Sequence, residues 1–190
     1  MLFDSARYFS LGFIGVFTTN DLMMSVFLIQ IVNIIANVFR VLVSKPIAKY
    51  SDKTSYANGF KLGLCLAAVS FAMLIFTTNK TWWLVILYTI FYSCSLAGTN
   101  QNSFNISYSY VDSKYITQAM AIKNSIGGIC GFGASILGGK ILEMIQKNGN
   151  SIFGLHIYGQ QVLGGISLFI LIGTIIFMNK VIVKQRVMKQ

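Results

Sequence analysis

The residues best suited to chemistry are polar side chains set within long apolar runs. One run carries Gln30, Asn33, Asn37 and Arg40 at steps of three, four and three residues, which places them on one face of a helix. Amide and guanidinium groups bind polar solutes through hydrogen bonds. In lipid such a stripe is costly unless it faces protein or water. We therefore expect a cavity wall; hydrogen bonds between helices, worth about 0.6 kcal/mol each, are the alternative.

Two further runs carry polar groups at membrane depth. Five amides and hydroxyls lie between Asn100 and Asn105, which predicts a broken helix beside a cavity or a span that ends near Ser103. Lys123 and Asn124 lie about eight residues into the next run, where the lysine either lines a water-filled cavity or extends back to the interface. The candidate substrate-cavity residues are Tyr8, Gln30, Asn33, Asn37, Asn100, Gln101, Lys123 and Asn124.

The chain shows no pattern typical of an enzyme. Its single histidine, His156, falls in a predicted loop, and its three cysteines lie inside apolar runs without the spacing of a metal site or a disulfide framework. We expect no catalytic residue, no metal and no cofactor. An intramembrane enzyme would need a nucleophile with its base, or metal ligands at depth.

Composition predicts a membrane protein. Hydrophobic residues make up 55% of the chain and charged residues only 11%, against about 25% charged in an average soluble domain. The formal net charge of +10 could indicate nucleic acid. However, the basic residues are scattered between apolar spans, which favours the lipid bilayer as partner and excludes nucleic acid.

The predicted fold is an all-α membrane protein with six transmembrane helices in one bundle. The spans fall near 3–19, 22–43, 60–78, 81–108, 115–145 and 158–180, with a basic cytoplasmic tail at 181–190. Both termini are predicted to be cytoplasmic in the cell membrane, because this orientation leaves only Lys80, Lys140 and Lys147 outside. The glycine and serine positions 127, 131, 135 and 139 predict a ridge for close helix packing.

The segment from Ser44 to Lys61 separates two apolar runs and contains the only proline, Pro46. Its polar, basic character predicts a cytoplasmic hairpin loop that fixes the orientation of the other spans. Within it, Asp52 and Lys53 form an acidic–basic pair among further basic residues.

This segment resembles the loop signature of the major facilitator superfamily, G-x-x-x-D-[RK]-x-G-[RK]-[RK]. Asp52-Lys53 matches its acidic–basic pair, while Ala48 and Ser55 stand where the signature has glycines and Tyr56-Ala57 where it has basic residues. The run IKNSIGGICGFGASILGGKIL is similar to the glycine-rich eleventh helix of that family. The polarity pattern of the spans (lining, lining, peripheral, lining, lining, peripheral) also matches a C-terminal six-helix half.

The resemblance implies a secondary transporter half that moves a small solute by alternating access. It implies that Asp52 is a conformational latch, with Arg40 or Lys53 as partner, although an ordinary solvated loop charge is the alternative. It also implies an N-terminal six-helix half as partner, and the first span opening so close to Met1 agrees with a truncated chain. A homo-oligomeric channel and a non-transporting fragment are the alternative functions. The neutral amides with Tyr8 and Lys123 favour a polar or anionic small molecule.

Overall fold

The computed structural model describes residues 2–152 and 155–183, and the side chains of 2–150 and 157–180. The described chain is almost entirely helical, with one short β-hairpin. The α-helices are α1 Leu2–Leu11, α2 Ile14–Val16, α3 Val26–Lys53, α4 Tyr56–Ile75, α5 Trp83–Tyr110, α6 Ile116–Lys147 and α7 Gly159–Phe177. The hairpin strands are β1 Ser151–Ile152 and β2 Leu155–His156.

The predicted loop from Ser44 to Lys61 is wrong, because α3 continues through Pro46 to Lys53 and α4 begins at Tyr56. Proline deprives one carbonyl of its helical donor, but Pro46 is exposed and the helix tolerates it. Ile47 and Ser51 are buried, so packing holds this part of α3 in helical form. The turn is therefore only Thr54 and Ser55, and the Ser55 Oγ caps α4 by accepting from the Asn58 N–H at 3.1 Å.

The first predicted span, 3–19, is not one continuous helix. α1 ends at Leu11, a turn at Gly12 and Phe13 follows, and the chain resumes as α2 and a wider π-helical turn over Phe17–Asp21. A short irregular segment, in which Met23 has a positive φ of 53°, then leads to α3, whose first turn is capped by the Ser25 Oγ. The apolar run alone did not show this interruption.

The polar second half of α5 neither breaks nor ends near Ser103, so both predicted alternatives are wrong. The helix is continuous to Tyr110. Its polar side chains bond back to carbonyls one turn earlier, as Asn102 Nδ2 does to Gly98 O at 2.8 Å and Ser107 Oγ to Ser103 O at 3.0 Å. These donors are thus satisfied without a break in the helix, while the buried Asn102 Oδ1 has no hydrogen-bond partner among the described residues.

The long helices pack in two interlocked triplets. α1 packs against α6 and α7, while α5 packs against α3 and α4, and α4 meets α7 at the centre. Exchanging α1, α3 and α4 for α5, α6 and α7 reproduces the same pattern of neighbours. The bundle therefore has an internal three-plus-three repeat in its packing.

Small residues set the closest helix contacts. Along α6, Gly127 lies against Asp4, Gly131 against Tyr8 and Gly139 against Phe13, and the Ser135 Oγ donates to the Tyr8 carbonyl at 3.2 Å. The predicted ridge at positions 127, 131, 135 and 139 is thus confirmed as the surface that receives α1. Between α4 and α5, a glycine lies against a glycine where position 63 meets position 98.

Four helices are long and apolar enough to cross a membrane by length and composition: α3, α4, α6 and the segment Gly159–Lys180 that begins with α7. α5 has 28 residues, a length of about 42 Å. Exposed Trp82 and Trp83 lie at its start and exposed Tyr108 and Tyr110 at its end, as in the aromatic belts of membrane proteins. Residues 184–190 of the predicted tail lie outside the described residues.

Candidate solute cavity

A cavity of about 430 Å³ lies between α1, α5 and α6, in the half of the bundle where α1 and α6 begin and α5 ends. Its size is within the range of small-molecule sites. The lining residues are Phe3, Asp4, Arg7, Tyr8, Phe60, Thr99, Asn100, Ser103, Phe104, Met120, Lys123, Asn124, Gly127 and Gly128. The cavity is thus formed by α1 and α5, each of which is the middle helix of its triplet, and by the glycine-rich helix α6.

Two cations and one carboxylate line this cavity. Lys123 Nζ donates to Ser103 Oγ at 2.7 Å, which joins α6 to α5 across it. The Arg7 guanidinium lies 5.1 Å from the centre of the Tyr8 ring, and its buried Nε has no hydrogen-bond partner among the described residues. With Asp4, the lining carries a formal charge of +1, so a buried donor and surplus positive charge face the same space.

Helix spacing and close packing bring the α1 groups to the cavity. Asp4, Arg7 and Tyr8 occupy positions i, i+3 and i+4 and therefore share one face of α1. A Cβ at Gly131 would lie 2.5 Å from Tyr8 Cδ2. Because glycine has no Cβ, α6 can approach α1 at this point, and the Tyr8 ring packs against Gly131.

Half of the predicted cavity residues meet in this cavity: Tyr8, Asn100, Lys123 and Asn124. Gln101 is exposed on α5 and is not part of the lining. The location of Lys123 matches the prediction of a cation in a cavity.

The polar stripe of α3 does not line this cavity. Gln30, Asn33 and Asn37 are exposed on α3, which packs against α5 and α4 on the other side of the bundle. Asn33 lines a separate space of about 270 Å³ between α3, α5 and the segment around α2. The spacing of the stripe correctly indicated a shared face, but it could not show which neighbour that face meets.

Sequence reasoning missed Asp4, Arg7 and Ser103. Asp4 and Arg7 lie near the start of the first predicted span, and Ser103 lies at one of the predicted span ends. Their signal was the spacing of Asp4, Arg7 and Tyr8 on one helix face. Two charged residues and a tyrosine on one face of a helix at membrane depth indicate a polar cavity.

The predicted latch residues lie on one helix. Arg40 and Asp52 are both in α3, twelve residues and thus about 18 Å apart along its axis, so Arg40 cannot be the partner of Asp52 within this chain. Asp52 and Lys53 are exposed in the last turn of α3 rather than in a loop. A latch role for Asp52 stays a prediction.

Two glutamines at the start of α7 hold the far end of the bundle. Gln160 is buried, and its Nε2 donates to Ser10 O at 2.9 Å and to Ser10 Oγ at 2.7 Å, just before α1 ends. Gln161 Nε2 donates to the carbonyls of Ile75 and Thr77 where α4 ends. The prediction of α7 as merely peripheral overlooked this role, because both side chains lie outside its apolar middle.

Among the described residues, no three His, Cys, Asp or Glu side chains come together in a metal-binding arrangement. The cysteines Cys65, Cys94 and Cys130 are free. The cavity lining offers hydrogen bonds and charge for binding.

Comparison of the chain with known protein families, with curated proteins and with solved structures finds no match. The class of protein defined by fold and composition is thus a helical membrane protein with a charged, partly open cavity between its helices.

Proposed function

We propose that this chain is one half of a secondary transporter that resembles the major facilitator superfamily, and that its cavity binds a small anionic solute. The observation that carries the proposal is the cavity of about 430 Å³ with Arg7 and Lys123 in its lining. Ionisable groups within spans are costly and usually serve a substrate pathway.

The packing pattern supports the transporter class. Halves of major facilitator transporters contain nested three-plus-three repeats, and the two interlocked triplets have this arrangement. The cavity lies between α1, which belongs to the first repeat unit (α1, α3 and α4), and α5 and α6, which belong to the second (α5, α6 and α7). A solute held there would contact both units of the repeat.

The exposed stripe of α3 supports a partner. Gln30, Asn33 and Asn37 are exposed at membrane depth, where lipid cannot satisfy their amides. A second six-helix half packed against this face would bring these amides into contact with protein and water instead of lipid. We propose that such a half completes the pathway, with both termini of this chain on the cytoplasmic side of the cell membrane.

The charges around the cavity favour an anion. Arg7 and Lys123 outnumber Asp4, and the buried Arg7 Nε offers a donor that no described residue uses. A carboxylate or phosphate accepts from a guanidinium and an ammonium group together. The hydroxyl of Ser103 and the amides of Asn100 and Asn124 can bind the polar remainder of the solute.

Thermal unfolding of the purified chain in detergent tests this binding. Gluconate and inorganic phosphate serve as anionic ligands, glucose as the neutral one and choline as the cationic one, all at equal ionic strength. A ligand at 100 times its Kd stabilises the native state by about 2.7 kcal/mol, a rise in Tm of roughly 5–11 °C. We expect this rise with an anion only, and its loss in Arg7→Gln and Lys123→Gln.

Lys140→Gln is the matched control, because it removes an exposed cation outside the cavity. Equal stabilisation by choline, or anion effects that survive both cavity substitutions, would refute the proposed site. In liposomes that contain both halves, saturable solute uptake is the expected result. Ion conductance by this chain alone without saturable uptake would instead indicate the channel.

A further inference from the structure

The outer face of α3 is apolar along one part of the helix and basic along the next. Four apolar side chains, Ile34, Val38, Val41 and Leu42, are between 53% and 72% exposed and border a shallow groove together with Asn37. About one turn further on, the same face carries Lys45, Lys49 and Lys53. An apolar groove thus leads directly into a row of cations.

Helix geometry fixes this alignment. Lys45 follows Val38 by seven residues, so the two side chains share a face. Lys45, Lys49 and Lys53 span an arc of about 80° on the helix, and its centre is opposite the buried pair Ile47 and Ser51. The lysines therefore extend away from the bundle, towards what surrounds it.

Aromatic residues mark this level as a membrane interface. Tyr50 on α3 and Tyr108, Tyr110 and Tyr115 near the α5–α6 connection are all exposed. Tyrosine is enriched at the boundary between hydrocarbon and headgroups. Tyr50 directly follows Lys49, so Lys49 lies at this level, and Lys45, about 6 Å nearer the apolar groove along the axis, can extend its side chain towards it.

The charge of this row is not neutralised by the protein. Among the described residues, Lys45, Lys49 and Lys53 form no ion pair. Asp52 is exposed in the last turn of α3 and offsets one of the three charges, which leaves the row with a net formal charge of +2.

We propose that this face of α3 is a binding site for one anionic phospholipid. An acyl chain lies in the groove beside Val38 and Leu42, and the ammonium groups of Lys45 and Lys49 bind the headgroup phosphate. Charge complementarity selects an anionic lipid over a zwitterionic one, because each lysine near the headgroups contributes about 1 kcal/mol, which is about a fivefold gain in affinity. The site depends on α3 crossing the membrane and applies to the chain without a partner half, because Asn37 belongs both to this groove and to the face that the proposed second half would cover.

Native mass spectrometry of the purified chain in detergent tests the site. Phosphatidylglycerol and phosphatidylcholine with identical palmitoyl and oleoyl chains are titrated separately. We expect retention of one phosphatidylglycerol in preference to phosphatidylcholine, and a loss of affinity of about 30-fold in the double variant Lys45→Gln, Lys49→Gln. Inorganic phosphate is not expected to displace the lipid, because it cannot occupy the groove.

The double variant Lys80→Gln, Lys140→Gln is the control, since it removes two exposed cations elsewhere. Equal retention of the two lipids, or an equal loss in both double variants, would overturn the proposal. Displacement by inorganic phosphate would identify a simple anion site and also overturn it. A dimer that retains no lipid would also overturn the proposal, because a second copy of the chain would then cover this face.

Discussion

Replacing Gly63 by alanine perturbs the closest approach between α4 and α5. A Cβ at this position would lie 2.8 Å from the Thr99 backbone nitrogen and 3.0 Å from the Gly98 carbonyl carbon. Two of the three nearest atoms belong to the backbone of α5. The clash therefore cannot be relieved by a side-chain rotation alone.

The cost follows from these distances. Carbon atoms pack best at about 3.5–4.0 Å, so α4 and α5 must separate locally by about 1 Å. Added methyl groups in well-packed cores cost about 1–3 kcal/mol. For a chain of this size, that corresponds to a fall in Tm of roughly 2–12 °C.

Thermal unfolding in detergent, followed with a thiol-reactive dye, measures the effect. Cys94 is buried on α5 and reports the opening of the bundle, whereas the exposed Cys65 reacts at the start and sets the baseline. The control is Gly173→Ala on α7, where nothing lies within 4 Å of the added Cβ. Because alanine favours a helix over glycine by about 0.5–1 kcal/mol, we expect the control to keep or raise the Tm.

The two alanine variants are therefore expected to shift the Tm in opposite directions. A Tm of Gly63→Ala equal to that of the control would refute the argument, because it would mean that α4 and α5 are not in backbone contact at this point.

Three further substitutions test other contacts by the same thermal assay. Gln160→Leu removes both hydrogen bonds to Ser10, and a loss of about 1 kcal/mol is expected; an unchanged Tm would contradict the contact. Glu143→Gln breaks an exposed pair with Lys147 at 2.7 Å, so we expect less than about 0.5 kcal/mol, and a larger loss would argue against an exposed pair. Asp52→Asn removes a negative charge from the last turn of α3, where the helix dipole disfavours it, so a gain of about 0.3–1 kcal/mol is expected in the isolated chain. Destabilisation of this variant would show that Asp52 has a partner within the chain.

Local polarity predicted much of the α6 side of the cavity. Lys123 and Asn124 stood out because they interrupt an apolar run, and both line the cavity. The ridge at positions 127, 131, 135 and 139 stood out by its period, and α1 packs on it. Features that depend on residue spacing within one helix are visible in sequence.

Features that depend on neighbours were not visible. The α3 stripe has the period of a cavity wall, yet the cavity lies between α1, α5 and α6. The polar segment around Pro46 has the composition of a loop, yet buried Ile47 and Ser51 keep it helical. In both places, packing against another helix outweighed the local preference.

The sequence by itself determined an apolar helical chain with polar groups at membrane depth, because composition and helical period are properties of single segments. Tertiary structure alone decided which of those groups share a space. Arg7 and Lys123 are 116 positions apart in the chain, and they line one cavity because the glycines of α6 let α1 pack against its backbone. That approach depends on the fit of two surfaces, which no single segment specifies.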